Sequence, residues 1–372
     1  MKLSKFPYLV QEEILQEMND QNIFLLSFVS KNMKKLIKSS QEKRIKNIRS
    51  IRYSCDGNKV WSVDILFRNN WREDLLEIVE CEKTKNDYFQ LNVFGTTIDF
   101  RICDKYKLTE AYFNPHENTS AIQSIHNYFL HFFGDSMEYL WRTSDCENII
   151  PQLENISACI RVWNSDSFSD MKTLENVFST SPNLKWISMF PFKSAEPLSP
   201  DSKFYRAESI ETVQIRHNAP AVFSHFKGRQ AFLKCIRCEI LNLIEFVSRW
   251  KSGEAFQKLE YLKMTVSIYE VHENQFLPGM EDAEGYVENQ NFPQILNIIG
   301  AKHIEETKKP PTHTLPKIYE YFNHNTTTDP IISYSYVVRE SDNRVASILI
   351  EENMFSFGVW DMTEEEFLSM LE

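Results

Sequence analysis

Residues 6–37 read FPYLVQEEILQEMNDQNIFLLSFVSKNMKKLI, and the rest of the chain is organised around this stretch. Pro7 stands where a helix would begin, and apolar residues recur behind it at helical spacing, at Val10, Ile14 and Met18. A polar break at 19–22 precedes a second apolar run, and a third helical pattern closes the stretch. Three such short helices cannot bury all their apolar side chains among themselves. The stretch therefore predicts a module that completes its core against a partner.

The stretch resembles an F-box. That family opens on Leu-Pro, continues with a spaced Ile-Leu and a Leu-Leu pair, and ends on Val-Cys/Ser-Lys and an aromatic residue. The sequence departs from this pattern at Phe6, which replaces Leu, at Leu9, where an acidic residue is common, and at Met33, where Trp is common. The pattern can be laid on the sequence without a gap, at Phe6-Pro7, Ile14-Leu15, residues 24–26, Val29-Ser30-Lys31, Met33 and Leu36.

The resemblance implies a non-catalytic, substrate-recognition subunit of a cullin-RING (SCF-type) ubiquitin ligase. The F-box would bind a Skp-family adaptor, and through it a cullin, while the C-terminal region would hold an unknown target protein. The departures at Leu9 and Met33 keep two alternatives open, a ligase-independent interaction scaffold and an unrelated three-helix cap. The residues expected to contact the adaptor are Phe6, Pro7, Val10, Ile14, Leu15, Phe24, Leu25, Val29, Lys31, Met33 and Leu36.

Charge is unevenly distributed along the chain. Residues 1–52 contain eleven basic and five acidic residues, a net charge of +6. Because the whole chain has a net charge of −11, the remaining residues carry −17. Such a basic module is typical of a solvated helix face, of a surface for an acidic protein, or of nucleic-acid binding. Because aromatic residues and glycine loops are not interleaved with the basic run, we expect no nucleic-acid partner. F-box adaptors are acidic, which fits the second interpretation.

Cysteine usage and hydropathy indicate a reducing compartment. The seven cysteines are odd in number and scattered, and no apolar signal segment opens the sequence. No run approaches the roughly 18 apolar residues that a membrane span needs. We expect a cytoplasmic protein, a nuclear one, or both, with no membrane partner.

An α+β organisation is predicted behind residues 1–47. Residues 48–136 predict a mostly β linker domain: a small, mostly antiparallel sheet over 48–113, with a hairpin at Asp56-Gly57, then a helix whose apolar stripe includes Phe129 and ends at Gly134. Aromatic residues at helical spacing are typical of core packing, although a ligand pocket is the alternative reading.

From 137 to 267, strands and helices alternate in units of roughly 25–35 residues, which predicts an LRR-like βα repeat. The pieces SPNLKWI and RWKSGEAFQKLEYLKM resemble the type 2 F-box-associated domain of a nematode-expanded family, and IQSIHNYFLHFFG resembles the middle region of that family. Residues 268–330 are polar and rich in turns. Residues 331–372 predict a β-hairpin sheet and a last helix, with a capping box from Thr363 to Glu366.

Signatures of catalysis are missing from the sequence. It has no phosphate-binding loop, dinucleotide fingerprint, nucleophile elbow or His-Glu-x-x-His helix, so we predict no catalytic residue, metal or cofactor. Cys235 and Cys238 form a lone C-x-x-C, and a zinc site would need two more ligands. His126 and His131, five residues apart, do not share a helix face and are interpreted as packing or boundary residues.

Overall fold

The computed structural model forms two compact units, Met1–Arg161 with Thr180–Asn183 and Val162–Ser179 with Leu184–Glu372. Among the described residues, no helix combines the length and the apolar character needed to cross a membrane. The residues described are 3–56, 60–80, 88–103, 108–113, 118–144, 150–162, 171–189, 198–214, 219–235, 240–266, 292–319, 326–351 and 353–371.

The first unit opens with the predicted run of short helices. A short α4 and a preceding 3-10 turn add to the three helices that the sequence predicted. The bounds are Leu3–Lys5 for the turn, Tyr8–Gln16 for α1, Asp20–Val29 for α2, Lys31–Ser40 for α3 and Glu42–Lys46 for α4.

The sheet of the first unit is mixed, in the order β8-β7-β1-β2-β3-β6-β5-β4. Strands β1–β2, β2–β3, β4–β5 and β5–β6 pair antiparallel, whereas β1–β7, β7–β8 and β3–β6 pair parallel. The prediction of a small sheet is not confirmed, because two later strands join it. The elements are β1 Ile48–Asp56, β2 Val60–Phe67, β3 Arg72–Glu80, β4 Phe89–Val93, β5 Thr96–Cys103, β6 Leu108–Phe113, α5 Asn118–Phe133, β7 Glu138–Thr143 and β8 Ile156–Val162.

A histidine of α5 is part of this unit's core. His126 is fully buried, and burial lowers its pKa. Its Nε2 lies 2.7 Å from the backbone oxygen of Glu154 and its Nδ1 lies 2.8 Å from the hydroxyl of Tyr53. Because a carbonyl only accepts, Nε2 donates to Glu154 and Nδ1 accepts from Tyr53. This agrees with the interpretation of His126 as a packing residue.

An ion pair is buried between the first two strands. Arg52 on β1 and Asp64 on β2 are cross-strand partners, and Nε of Arg52 lies 2.6 Å from Oδ1 of Asp64. Both side chains are excluded from water, at 1% and 0% exposure. Arg72 on β3 approaches the second carboxylate oxygen at 3.3 Å. One carboxylate therefore connects three neighbouring strands, and either charge left alone would be buried without compensation.

We predict that Asp64→Asn destabilises the first unit by about 3–5 kcal/mol, because it leaves the Arg52 guanidinium buried without its counter-charge. Urea unfolding followed by circular dichroism measures the change. Asp74→Asn is the matched control, since Asp74 pairs with Arg72 at 52% exposure, and we expect it to cost less than about 1 kcal/mol. Equal losses in the two variants would contradict the role given to the buried pair.

The second unit has strands in the order β9-β10-β11-β12-β18-β17-β16-β13. Its first four strands run parallel, and the remaining pairs are antiparallel. A separate pair, β14 with β15, is also antiparallel. The elements are α6 Met171–Thr180, β9 Asn183–Met189, a 3-10 turn Lys203–Arg206, β10 Ser209–Gln214, α7 Ala219–His225, β11 Gln230–Cys235, α8 Ile240–Lys251, β12 Tyr261–Val266, α9 Phe292–Ile298, β13 Lys302–His303, β14 Thr312–His313, β15 Ile331–Ile332, β16 Ser335–Val338, β17 Arg344–Glu351, β18 Met354–Thr363 and α10 Glu364–Ser369.

The predicted alternation of strand and helix is present in this unit, but an LRR-like repeat is not confirmed. Strand β12 pairs antiparallel with β18. The sheet therefore extends from the parallel strands to the C-terminal strands, and both sets share a core. Phe246 on α8 lies 5.6 Å from Phe223 on α7 and 5.2 Å from Phe357 on β18, between ring centroids. Trp250 packs on the same Phe357 at 5.1 Å. Helix α8 thus packs both against α7 and against the C-terminal strand β18.

The last helix begins as the sequence predicted. Thr363 accepts a hydrogen bond from the backbone of Glu366, whose carboxylate accepts one from the backbone of Thr363, so the capping box is confirmed. Phe367 then enters a small core with Ile304, Tyr336 and Val345. Local capping and one buried aromatic ring fix this helix on β16 and β17. The predicted domain boundaries at 47, 136, 267 and 330 stay predictions.

Candidate adaptor-binding surface

Local capping explains where the N-terminal helices begin. Pro7 precedes α1 with φ −53° and ψ 149°, as the sequence predicted. The side chain of Asn19 accepts from the backbone of Asn22 at 2.9 Å, and Ser30 accepts from Met33 at 3.1 Å. The predicted polar break at 19–22 is therefore wrong beyond its first residue: Asn19 is an N-cap, and the next three residues form the first turn of α2.

The core of these helices is completed by the chain itself. The ring of Phe24, buried on α2, lies 4.8 Å from Phe28 and 5.0 Å from Phe129 on α5. Phe28 stacks on Tyr128 at 4.0 Å. The sequence suggested a module that needs a partner to close its core, and the structure corrects this: α5 covers one side of α2. The predicted aromatic stripe of α5 is core and not a ligand pocket.

A buried hydrogen bond fixes the same contact. Ser27 Oγ lies 2.6 Å from the hydroxyl of Tyr128. Because Ser27 donates to the carbonyl of Phe24, its oxygen accepts from Tyr128. Burial raises the pKa of Tyr128 to about 12. Tyr128 was not among the residues predicted from the sequence, although its position beside Phe129 in the apolar stripe of α5 was a signal for it.

Phe24→Ala should destabilise the first unit by about 3–5 kcal/mol, because it leaves a cavity between α2 and α5. Thermal and urea unfolding of the purified chain measure the loss. Phe89→Ala serves as the control, since Phe89 is 38% exposed, and its loss should be clearly smaller. A Phe24→Ala chain as stable as the control would show that α5 does not support α2.

The structure divides the predicted adaptor residues by exposure. Leu15 and Phe24 are buried within the chain, so they stabilise the helices and do not present a surface. Phe6, Ile14, Leu25, Met33 and Leu36 are half-buried, and Pro7 and Lys31 are exposed. Val10 and Val29 are exposed to 40% and 64%, and two neighbours outside the predicted set, Tyr8 and Leu9, to 52% and 72%. Large apolar side chains are thus open to solvent on α1 and at the end of α2.

A comparison with known protein families found a match in these N-terminal helices. Residues 3–45 match the F-box domain. The chain carries an F-box. No curated protein and no solved structure matches the chain. F-box domains generally bind Skp-family adaptors and through them cullins, and F-box proteins are generally the non-catalytic substrate adaptors of SCF-type ubiquitin ligases. The F-box-associated domain and the nematode family are not confirmed by this match.

Polar contacts attach the F-box to the sheet of its own unit. Asp20, at the start of α2, forms an ion pair with Arg44 of α4 at 2.7 Å. The backbone of Asp20 donates to Glu73 on β3 at 3.2 Å, and Gln21 donates to the carbonyl of Asp74 at 2.6 Å. Burial and the neighbouring Asp20 carboxylate raise the pKa of Glu73 to about 7. The joint between α2 and β3 therefore contains a carboxyl group that titrates near neutral pH.

We predict that Glu73→Gln alters the pH dependence of stability. The pKa of Glu73 in the folded chain lies above the ordinary value of 4.5, so the folded state binds a proton at Glu73 more tightly than the unfolded state does. The stability that this proton contributes is lost as pH rises from about 4.5 to 7. Glutamine mimics the protonated carboxyl, so the variant should gain stability relative to wild type at pH 8 but not at pH 4.5. Urea midpoints across this range test it. A constant difference would contradict the assignment.

The third helix of the F-box has a cationic face. Lys31, Lys34, Lys35 and Lys38 form no ion pair with any described residue. The ammonium of Lys34 lies 3.9 Å from the ring centroid of Tyr128. Burial, with the charge of Lys38, lowers the pKa of Lys34 to about 8. This face carries positive charge that the described part of the chain does not neutralise.

Metal and thiol chemistry find no support in the described ranges. They contain no group of three His, Cys, Asp or Glu residues that could hold a metal ion. Of the cysteines there, Cys55, Cys159 and Cys235 are buried and Cys103 is partly exposed. Cys238, the second half of the C-x-x-C, lies outside the described residues, so the structure does not address that motif.

Proposed function

We propose that this chain is the substrate-recognition subunit of an SCF-type ubiquitin ligase. Its F-box would bind a Skp-family adaptor, and the rest of the chain would bind a target protein. The supporting observation is the asymmetry of the F-box: α2 packs on α5 through Phe24, while Val10 and Val29 remain exposed. Exposed apolar side chains of this size, collected on one module, are typical of a surface that a partner covers.

The predicted adaptor residues then have different roles. Leu15 and Phe24 hold α1 and α2 in place from the buried side. Val10 and Val29 would be buried on binding and would supply most of the affinity. Lys31, two residues after Val29, is exposed and would steer an acidic adaptor toward the surface. We place the complex in the cytoplasm, the nucleus or both.

The test is the affinity of the chain for a purified Skp-family adaptor, measured by calorimetry. Val10→Glu combined with Val29→Glu should weaken binding at least roughly tenfold, because two carboxylates would be buried in an apolar contact. Leu241→Glu is the matched control: Leu241 is 71% exposed on α8, outside the F-box, and its substitution should leave the affinity unchanged. Circular dichroism checks that every variant folds.

The alternative is a ligase-independent interaction scaffold, favoured by Leu9, which is 72% exposed where the family commonly has an acidic residue. The same experiment separates the two. A wild-type chain that binds no Skp-family adaptor would exclude the ligase proposal and leave the scaffold.

A further inference from the structure

The tip of the β4–β5 hairpin has an unusual residue for its conformation. Val93 pairs with Thr96, so Phe94 and Gly95 alone form the turn. Both have positive φ, 52° and 94°, which is the type I′ geometry that favours Asn-Gly. Glycine adopts it without strain, but a bulky side chain rarely does. Phenylalanine at the first position is therefore unfavourable for the turn itself.

Burial does not offset this strain. Phe94 is 53% exposed. Asparagine would fit the same backbone better and would keep the surface polar. Strained residues that packing does not explain often belong to binding sites, and exposed aromatic rings on rigid turns are suited to anchor a partner. The turn thus presents Phe94 outward at a cost to folding.

A cationic cluster lies beside this ring. The ring centroids of Phe94 and His131, the latter near the end of α5, are 6.0 Å apart. Nζ of Lys38 lies 3.4 Å from the backbone oxygen of His131. Lys34 lies one turn before Lys38 on α3 and covers the ring of Tyr128. Neither lysine has a carboxylate partner among the described residues.

The two lysines repel one another and disfavour the charged form of His131. The charge of Lys34 lowers the pKa of His131, with burial and Lys38 adding to the effect. Lys38 in turn contributes to the lowered pKa of Lys34. Among the described residues, the rings of Tyr128, which is neutral, and Phe132 face the ammonium of Lys34, and Lys31 and Lys35 precede and follow it on α3. A carboxylate placed here would relieve this repulsion.

We propose that Phe94, Lys34, Lys38 and His131, the Phe94 surface, bind an acidic segment of the target protein that carries one large apolar side chain. The apolar side chain would pack on Phe94 and the carboxylates would pair with the lysines. The proposal rests on the proposed function, since it names the chemistry of the target. Lys34 and Lys38 lie within residues 3–45, the part that matches the F-box, whereas Phe94 and His131 lie outside it. We assign the surface to the target because its apolar anchor, Phe94, is one of the residues outside the F-box.

The probe is a set of fluorescein-labelled twelve-residue peptides of Asp and Glu with a central Leu, Phe or Trp, titrated with the full chain by fluorescence anisotropy. Phe94→Asn should weaken binding at least tenfold while leaving the unfolding midpoint unchanged or higher, because asparagine suits the turn. Lys34→Gln combined with Lys38→Gln should also weaken peptide binding at least tenfold and should make the affinity less dependent on salt concentration. Affinity should also rise as pH falls from about 9 to 7, since binding favours the protonated form of Lys34, whose pKa is about 8.

Lys46→Gln is the matched charge control, because Lys46 already pairs with Glu42 at 2.6 Å, and it should leave peptide binding unchanged. Adaptor affinity, measured in parallel, should be unchanged in Phe94→Asn. The inference is overturned if no peptide in the set binds saturably, or if wild type and Phe94→Asn bind alike. It is equally overturned if Phe94→Asn weakens adaptor binding, which would assign the surface to the adaptor. Failure of the peptide arm with intact adaptor binding leaves the proposed function standing.

Discussion

The contact between α2 and α5 is the interaction on which the first unit depends. Three short helices have too little volume to enclose Phe24 and Phe28, and α5 supplies Tyr128 and Phe129 to cover them. The F-box is thereby a part of a larger core. One side of α2 packs against α5, so only its other sides can contact a partner. Val29, at the end of α2, remains in solvent.

Sequence patterns predicted the features that depend on neighbouring residues. Caps at Pro7 and Thr363 have local causes, and the structure shows both. Pairing between distant strands has no local signal. Strand β1 pairs in parallel with β7, which begins at Glu138, and β12 pairs with β18, which begins at Met354. Alternation along a strand tells which face is apolar, but not which strand lies beside it. The predicted sheet was therefore too small.

The candidate site shows the same limit at the level of side chains. The F-box pattern placed Val10, Leu15 and Phe24 together among the residues expected to contact the adaptor. It could not tell that Leu15 and Phe24 are buried, and the helix that covers Phe24 begins only at Asn118. Phe94 was missed for a different reason. Its signal was the Phe-Gly pair at a two-residue turn, where asparagine is the ordinary choice, and only the backbone angle makes that departure visible.

The basic residues of the F-box fall into two groups, those that form ion pairs and those that form none with any described residue. Arg44 is neutralised by Asp20 and Lys46 by Glu42, so these basic residues stabilise the helices. The lysines of α3 have no such partners among the described residues, and Lys34 gives up part of its hydration to lie on Tyr128. A face needed only for solubility would keep its ammonium groups fully hydrated. The eleven basic residues of 1–52 therefore include cations that are paired within the fold and lysines that are available to an acidic partner, and binding of that partner should weaken as salt rises.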